Sequence, residues 1–262
     1  MVPSYSQISL IFVVLITLFM ILCIITLRIK LKLSQRYQDL FEQIWTPIFN
    51  EVAMQWLPKN VELPKLNSRD YPLFIHYWLN LQETLSGEGK IRLNSLARRL
   101  EMHKYAQRNL DKGKVRQRLV AVVFLGRIRD RLSWKPLEEL LLHENILLSI
   151  LAARSLLEID QNRALPLVFS ALIKRKDWPE IRAAMVLRSV LVPELVTSHL
   201  FKALQGSTDS QAMKLLPYVE LMYNEEKNRI LRILLERSQS DRLTSRLLRH
   251  IDCDQELDLV RL

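Results

Sequence analysis

From Ile8 to Leu27 the chain carries no charged side chain, reading ISLIFVVLITLFMILCIITL. At about 1.5 Å per residue this is roughly 30 Å of helix, the thickness of a bilayer's hydrocarbon. A cleaved leader needs positive charge ahead of its apolar run and small residues at its cleavage site. Residues 1–7 (MVPSYSQ) carry no charged side chain, and the run ends in Leu27-Arg28. A buried core helix of this length carries a polar stripe, and Ser9 and Thr17 are too weak to make one. The run therefore reads as a transmembrane helix over residues 8–27. Arg28, Lys30, Lys32 and Arg36 follow it, and no Lys or Arg precedes it. Positive flanks stay cytoplasmic. The expected topology is a single pass, with residues 1–7 as a short outside tail and residues 28–262 in the cytoplasm. Cys23 falls in the span and Cys253 at the far end, so both are expected as free thiols in a reducing compartment.

The rest of the chain reads as all-α. Five glycines in 262 residues compare with about 18 at average usage. Tight hairpin turns and phosphate-cradling loops consume glycine, so barrels, Rossmann domains and P-loop enzymes are disfavoured. Two cysteines exclude a disulfide framework and any multi-cysteine metal site. No stretch alternates strictly between apolar and polar residues. Apolar residues at Leu33, Tyr37, Leu40, Phe41, Ile44, Ile48, Val52 and Trp56 predict a helix continuing over 28–58, with a kink at Pro47. A second helix is predicted from an N-cap at Asp70 to Ser86, ended by Gly87-Glu88-Gly89. A third is predicted from Ile91 to about Leu110, closed by Asp111-Lys112-Gly113.

From Lys114 onward the sequence repeats. Leu125 with Ile128 is followed by Leu156 with Ile159, Leu187 with Val190, Leu216 with Val219, and Leu248 with Ile251. The spacings are 31, 31, 29 and 32. Ala121, Ala152, Ala153, Ala183 and Ala184 precede the leucines, where two helices would pack closely. Second amphipathic runs follow at Ala164–Lys174, Glu194–Leu204 and Lys227–Glu236. Such units bury their apolar faces only by stacking.

The segment LLEIDQNRALPLV (156–168), with DWPEIRAA (177–184) opening the next unit, resembles the short HEAT-like repeats, whose period matches these spacings. In that family each unit is two antiparallel helices, and the units stack into an α-solenoid. The resemblance covers roughly residues 114–252 and degrades in the fourth unit, where Pro217 sits in the first helix. It implies a division into the 1–7 tail, the 8–27 transmembrane helix, a 28–58 juxtamembrane helix, a 59–113 helical cap and a 114–262 solenoid of about 4.5 repeats. The chain would then stop within the second helix of a fifth unit, closed either by the acidic DCDQELD segment or by a partner. Leu63-Pro64, YWLNLQETLSG (77–87), Leu125-Gly126 and DWP (177–179) also resemble a group of bacterial single-span membrane proteins with cytoplasmic HEAT repeats. Such proteins are associated with envelope glycosyltransferases and exopolysaccharide export, which implies a place in the bacterial inner membrane.

The net charge of +10 is local. Twelve basic residues lie between Arg92 and Arg131: Arg92, Arg98, Arg99, Lys104, Arg108, Lys112, Lys114, Arg116, Arg118, Arg127, Arg129 and Arg131. Only Glu101, Asp111 and Asp130 oppose them, a net +9 over that stretch. One reading is a solvated face. The other is a docking surface for an acidic partner, anionic headgroups or a phosphorylated ligand. Nucleic acid is disfavoured, because only Tyr105 and Phe124 interleave with the cluster. Trp134 and Trp178 stand beside prolines at inter-helix turns, as wedges closing the corners or as anchors for a partner.

Patterns for catalysis are absent: HExxH, CxxC, GxSxG, GxGxxG and Walker motifs do not occur. Adjacent carboxylates such as Glu138-Glu139 point about 100° apart on a helix. HEAT-like repeats also occur in bilin lyases and in hydroxylases that hold iron with repeated His-Glu pairs. His143-Glu144 is the only such dipeptide, which is too few ligands. The expectation is no catalytic residue, no cofactor and no metal. The chain reads as a tethered scaffold for a membrane or membrane-associated protein, with Arg98, Arg99, Lys104, Arg108, Arg116, Arg118, Arg127, Trp134 and Trp178 as candidate contacts. A sensor of an anionic nucleotide or phospholipid is the alternative. The oligomeric state stays open.

Overall fold

The computed structural model describes residues 5–58 and 60–260, with side chains described for 14–58 and 60–250. Every regular element among the described residues is a helix. The chain divides into two compact units, Met1–Leu96 and Ala97–Leu262.

The first unit is built on one long helix, α1 (Tyr5–Met54). It continues without a break from the apolar run into the amphipathic segment, with Pro47 inside it. Beyond the apolar run one face of α1 becomes core: Phe41, Trp45, Phe49 and Val52 are buried. They meet α2 (Asp70–Thr84), where the ring of Phe74 lies 5.3 Å from Trp45 and 5.2 Å from Phe49, centroid to centroid. Offset and edge-on aromatic pairs of this kind add to plain area burial. Two hydroxyls tie the pair at its ends: Tyr37 donates to Asp70, and Tyr77 donates to Glu42. Trp78 is fully buried, and its indole N–H donates to the Leu93 carbonyl of α3 (Glu88–Arg99) at 3.0 Å.

Two expectations change here. Asp70 is not the N-cap of α2 but its first residue. Its carboxylate is occupied by the Tyr37 hydroxyl and the Asn67 backbone N–H, the latter at 2.7 Å. The single helix expected over 91–110 is two. Glu101 takes a left-handed backbone (φ 55°), which separates α3 from α4 (Met102–Lys112). Met102, Ala106 and Leu110, one turn apart, can then all be buried on one face.

In the second unit, α4 packs on α5 (Val115–Arg127) and α5 on α7 (Ile146–Ile159). Helix α7 then packs on α9 (Glu180–Arg188), and α9 on the 3-10 segment Leu216–Leu221 that continues α11 (Asp209–Leu215). The intervening elements form a second series. The turn Leu140–Leu142 after α6 (Trp134–Glu139) packs on α8 (Gln161–Lys174). Helix α8 packs on α10 (Pro193–Gln205), and α10 on α12 (Asn224–Arg237). The final helix is α13 (Asp241–Val260), which meets α11 and α12.

The leucines of the first four repeat pairs (Leu125, Leu156, Leu187 and Leu216) are all buried. The fifth pair does not follow. Leu248 is 44% exposed, and Leu243 and Leu247 are buried in its stead. Among the described residues helix α13 meets α11 and α12, and its inward face is the i, i+4 pair Leu243 and Leu247. The Ile251 partner lies outside the described side chains. Helix α13 also runs unbroken to Val260, so the expected second helix of a fifth unit is absent among the described residues. Pro217 marks where α-helix gives way to 3-10, as its missing N–H requires of the preceding turn.

Helices α5 and α7 come into backbone contact at Gly126. A Cβ placed there would lie 2.6 Å from the Ser155 side chain and 2.7 Å from its Cα. Ser155 donates to the Val122 carbonyl at 2.9 Å across the same contact. Substituting Gly126→Ala is expected to cost about 1–3 kcal/mol by forcing α5 and α7 apart. Thermal unfolding of the full chain followed by circular dichroism measures it.

Candidate functional site

Each α-helix leaves four carbonyls without intrahelical partners at its C-terminus, where the helix dipole is negative. In this chain cations from neighbouring helices occupy many of those ends. Within the first unit, Arg92 donates to the Val52 and Ala53 carbonyls at the end of α1, at 3.0 and 2.5 Å. Within the second unit, Arg98 donates to the Ile128 carbonyl at 2.7 Å and closes α5. Arg118 donates to the Leu110 carbonyl at 3.1 Å and closes α4. Its other guanidinium arm faces His143 Nε2 at 3.4 Å.

Four of the twelve clustered cations are therefore structural by contact, counting Arg127. Arg127 lies 3.5 Å from Glu158, which Arg154 also approaches at 3.4 Å. Lys104 pairs with Glu101, one turn away and beside the left-handed break. Arg99 is exposed on α3 and also engaged. The candidates that stay open are Arg108 and Arg116, joined by Lys112. All three are exposed at the α4–α5 junction, with no hydrogen bond or ion pair among the described residues.

The two tryptophans are wedges. Trp134 is buried, its indole N–H donates to Glu138 at 3.1 Å, and the Arg163 guanidinium lies 4.2 Å over its ring. Trp178 is buried too, and donates to Ser149 Oγ at 3.1 Å. Ser149 in turn donates to the Leu141 carbonyl. Neither indole offers a partner an aromatic anchor in this arrangement.

Sequence reasoning missed the cations outside the 92–131 cluster. Arg175, at the end of α8, reaches the Leu141 and His143 carbonyls at 3.3 and 2.5 Å and Ser149 Oγ at 3.1 Å. Asp177 holds the other side of that guanidinium, which keeps the Asp177 carboxyl below the usual range. Lys214 donates to the Ile173 carbonyl at the end of α8. Arg237 donates to the Gln205 and Ser207 carbonyls after α10, both at 2.6 Å. The one available signal was a basic residue closing each of α8 and α12, about one repeat beyond the helix end that it caps.

A cavity of about 510 Å³ lies between α8, α10 and α11. Pro166, Phe169, Ile173 and Ala203 give it an apolar floor, and Lys174, Lys202 and His199 stand at its edge. Burial, helped by the Lys202 charge, holds the His199 pKa below its usual value. Among the described residues no three His, Cys, Asp or Glu side chains are grouped to hold a metal ion. His143 accepts the Asn145 backbone N–H through Nδ1 at 2.9 Å and faces Arg118 through Nε2. The arrangement offers packing, capping and an exposed basic edge. Among the described residues no acid–base pair stands poised on this cavity.

No family model matches this chain, and no curated protein matches it.

Two outcomes test this assignment of the charges. Arg175→Ala removes five donor contacts to four residues at a mostly buried corner and is expected to cost about 2–3 kcal/mol. Arg116→Ala is expected to stay within about 0.5 kcal/mol, and chemical denaturation of the two variants compares them. Burial lifts the Glu158 carboxyl above 4.5, and Arg127 and Arg154 only partly offset it. The folded state thus holds that proton more tightly than the unfolded chain. Its stabilising contribution is full below the unfolded pKa and is lost as pH rises through the raised value. Thermal midpoints of the native chain should therefore fall relative to Glu158→Gln as pH rises above 4.5.

Proposed function

We propose that this protein is a membrane-tethered scaffold whose helical repeats, stacked as a HEAT-like solenoid, hold a protein partner beside the cytoplasmic face of a membrane. The observation that carries the reading is α1. It is one helix long and apolar enough to cross a membrane, with a mean hydropathy of 2.4 in its most apolar window and none of that window buried. An apolar helix surface left wholly uncovered needs a nonaqueous solvent. The positive flank Arg28, Lys30, Lys32 and Arg36 supports the outside placement of the N-terminus. The two series of stacked helices in the second unit support a solenoid, since each pair buries its face against the next. The resemblance to membrane-anchored HEAT proteins suggests an accessory subunit of an envelope polysaccharide glycosyltransferase as the setting, in the inner membrane of a bacterium.

A second reading rests on Arg108, Lys112 and Arg116, three exposed cations at the α4–α5 junction for which no hydrogen bond or ion pair is seen among the described residues. They would take an anionic ligand, either a nucleotide or a lipid headgroup.

Alkaline carbonate extraction of the native membrane fraction is expected to leave the chain in the pellet, and deletion of residues 8–27 to release it. Affinity capture from solubilised membranes is expected to yield a stoichiometric partner that is lost when residues 114–262 are removed. Binding to anionic vesicles that drops at least tenfold in a triple Arg108→Ala, Lys112→Ala, Arg116→Ala variant, with partner capture intact, would favour the second reading.

A further inference from the structure

The cations that close helix ends in the second unit leave two others without that task. Lys174 and Lys202 stand in the last turns of α8 and α10. The carbonyls at those ends are already answered from elsewhere, at α8 by Lys214 and after α10 by Arg237. Lys174 and Lys202 are exposed, and neither makes a hydrogen bond or ion pair among the described residues. They rim the cavity of about 510 Å³ between α8, α10 and α11. That volume falls within the roughly 300–1,000 Å³ of small-molecule sites. Residues three and four apart share a helix face. Positions 166, 169, 170, 173 and 174 thus line the cavity from one face of α8, and 199, 202 and 203 from one face of α10. The floor, Pro166, Phe169, Ile173 and Ala203, is apolar. The edge is made of donors. An ammonium group can only donate. Gln211 gives its side-chain oxygen to the Thr208 backbone N–H at 3.0 Å, which leaves its amide nitrogen to donate. Among the described residues no carboxylate lines the cavity.

We propose that this cavity binds a single-chain amphipathic anion, its apolar body on the α8–α10 floor and its carboxylate or phosphate head among Lys174, Lys202 and His199. Such a head needs donors and no acceptors, and hydrogen bonds to a charged oxygen are the strong ones. His199 is half-buried at the same edge. Burial and the Lys202 charge hold its pKa down, so at neutral pH the imidazole is uncharged and still donates one N–H. A docked peptide fits this lining poorly. Its backbone N–H groups would lose water and need acceptors. Of the lining side chains only Ser170 and His199 keep an acceptor that is not already engaged. A bare inorganic anion would leave the apolar floor uncovered. The site shares no residue with the edge at Arg108, Lys112 and Arg116, and it does not rest on the membrane reading.

The test is photolabelling of the full chain in its native membrane with a diazirine-bearing dodecanoate, read by mapping the adducts along the chain. Adducts are expected within 166–174 and 199–211. Excess dodecanoate or dodecyl phosphate should displace them, and whichever acts at the lower concentration identifies the head. Dodecanol and dodecyltrimethylammonium at the same concentration should not. Lys174→Glu combined with Lys202→Glu should weaken the label at least about tenfold, as loss of one charge-assisted hydrogen bond does. Ala203→Trp, which fills the floor, should do the same. Lys135→Glu, at an exposed cation of α6, should leave the label unchanged. Variants are compared only where helical circular dichroism matches the native chain. If Ala203→Trp fails to fold, the exposed lysine pair still decides. Adducts confined to other segments, displacement by dodecanol equal to that by the anions, or a label indifferent to the lysine reversal would each overturn the site. Displacement by inorganic phosphate at the same concentration would overturn the need for an apolar body. An acidic peptide that displaces the label more strongly than either anionic amphiphile would overturn the proposal in favour of a protein segment.

Discussion

The cation that reaches across to close a neighbour's helix is the contact on which the second unit depends. Short helices are rich in ends, and every C-terminus presents carbonyls that water or a donor must satisfy. Arg98, Arg118, Arg175, Lys214 and Arg237 supply those donors from neighbouring helices, over sequence separations from 8 to 41. Apolar stacking between pairs sets distance but leaves rotation about the helix axes poorly fixed. A guanidinium fork bonded to two carbonyls fixes both. The basic excess of this chain is thus in large part a property of its architecture. Within the 92–131 cluster, Arg108, Lys112 and Arg116 form an exposed edge at the α4–α5 junction, and Lys114, Arg129 and Arg131 are exposed as well.

The corners combine this with aromatic packing. At the junction after the Leu140–Leu142 turn, Arg175, Trp178 and Ser149 converge on the Leu141 carbonyl directly or through one another. A buried network of this kind is stable only when every member is satisfied. At the preceding corner Arg163 covers the Trp134 ring. The sequence shows the tryptophans but not these neighbours, which is why wedge and anchor look alike from the residues alone.

The helical class, the long apolar helix and the spacing of the buried leucines are legible in the sequence because each is a local pattern written by one period. The break at Glu101 is not, since a left-handed residue leaves no mark when it is not glycine. Leu248 misleads for a different reason. Its spacing matches the repeat, yet among the described residues the inward face of α13 is formed by Leu243 and Leu247 and Leu248 is left outside it. The capping cations stay hidden because most of their partners are backbone atoms about one repeat away, to which no pattern of side chains points. Gly126 stands out in the sequence only as part of a resemblance, and its physical role is the close passage of α5 past Ser155.

The unbroken course of α1 has a mechanical meaning. In the proposed orientation, residues 28–54 extend about 40 Å beyond the lipid, and the α2-binding face begins at Tyr37, about 15 Å out, roughly two Debye lengths at physiological salt. The aromatic contacts to α2 and the Arg92 clasp at its tip make the upper half of this stalk rigid. Lateral reach then comes from tilt at the base, where about 10° at the membrane becomes roughly 7 Å of sweep at the top. In that proposed orientation the stalk would act as a lever with its fulcrum in the headgroups, and the stiffness of one helix would set how far a bound partner could search.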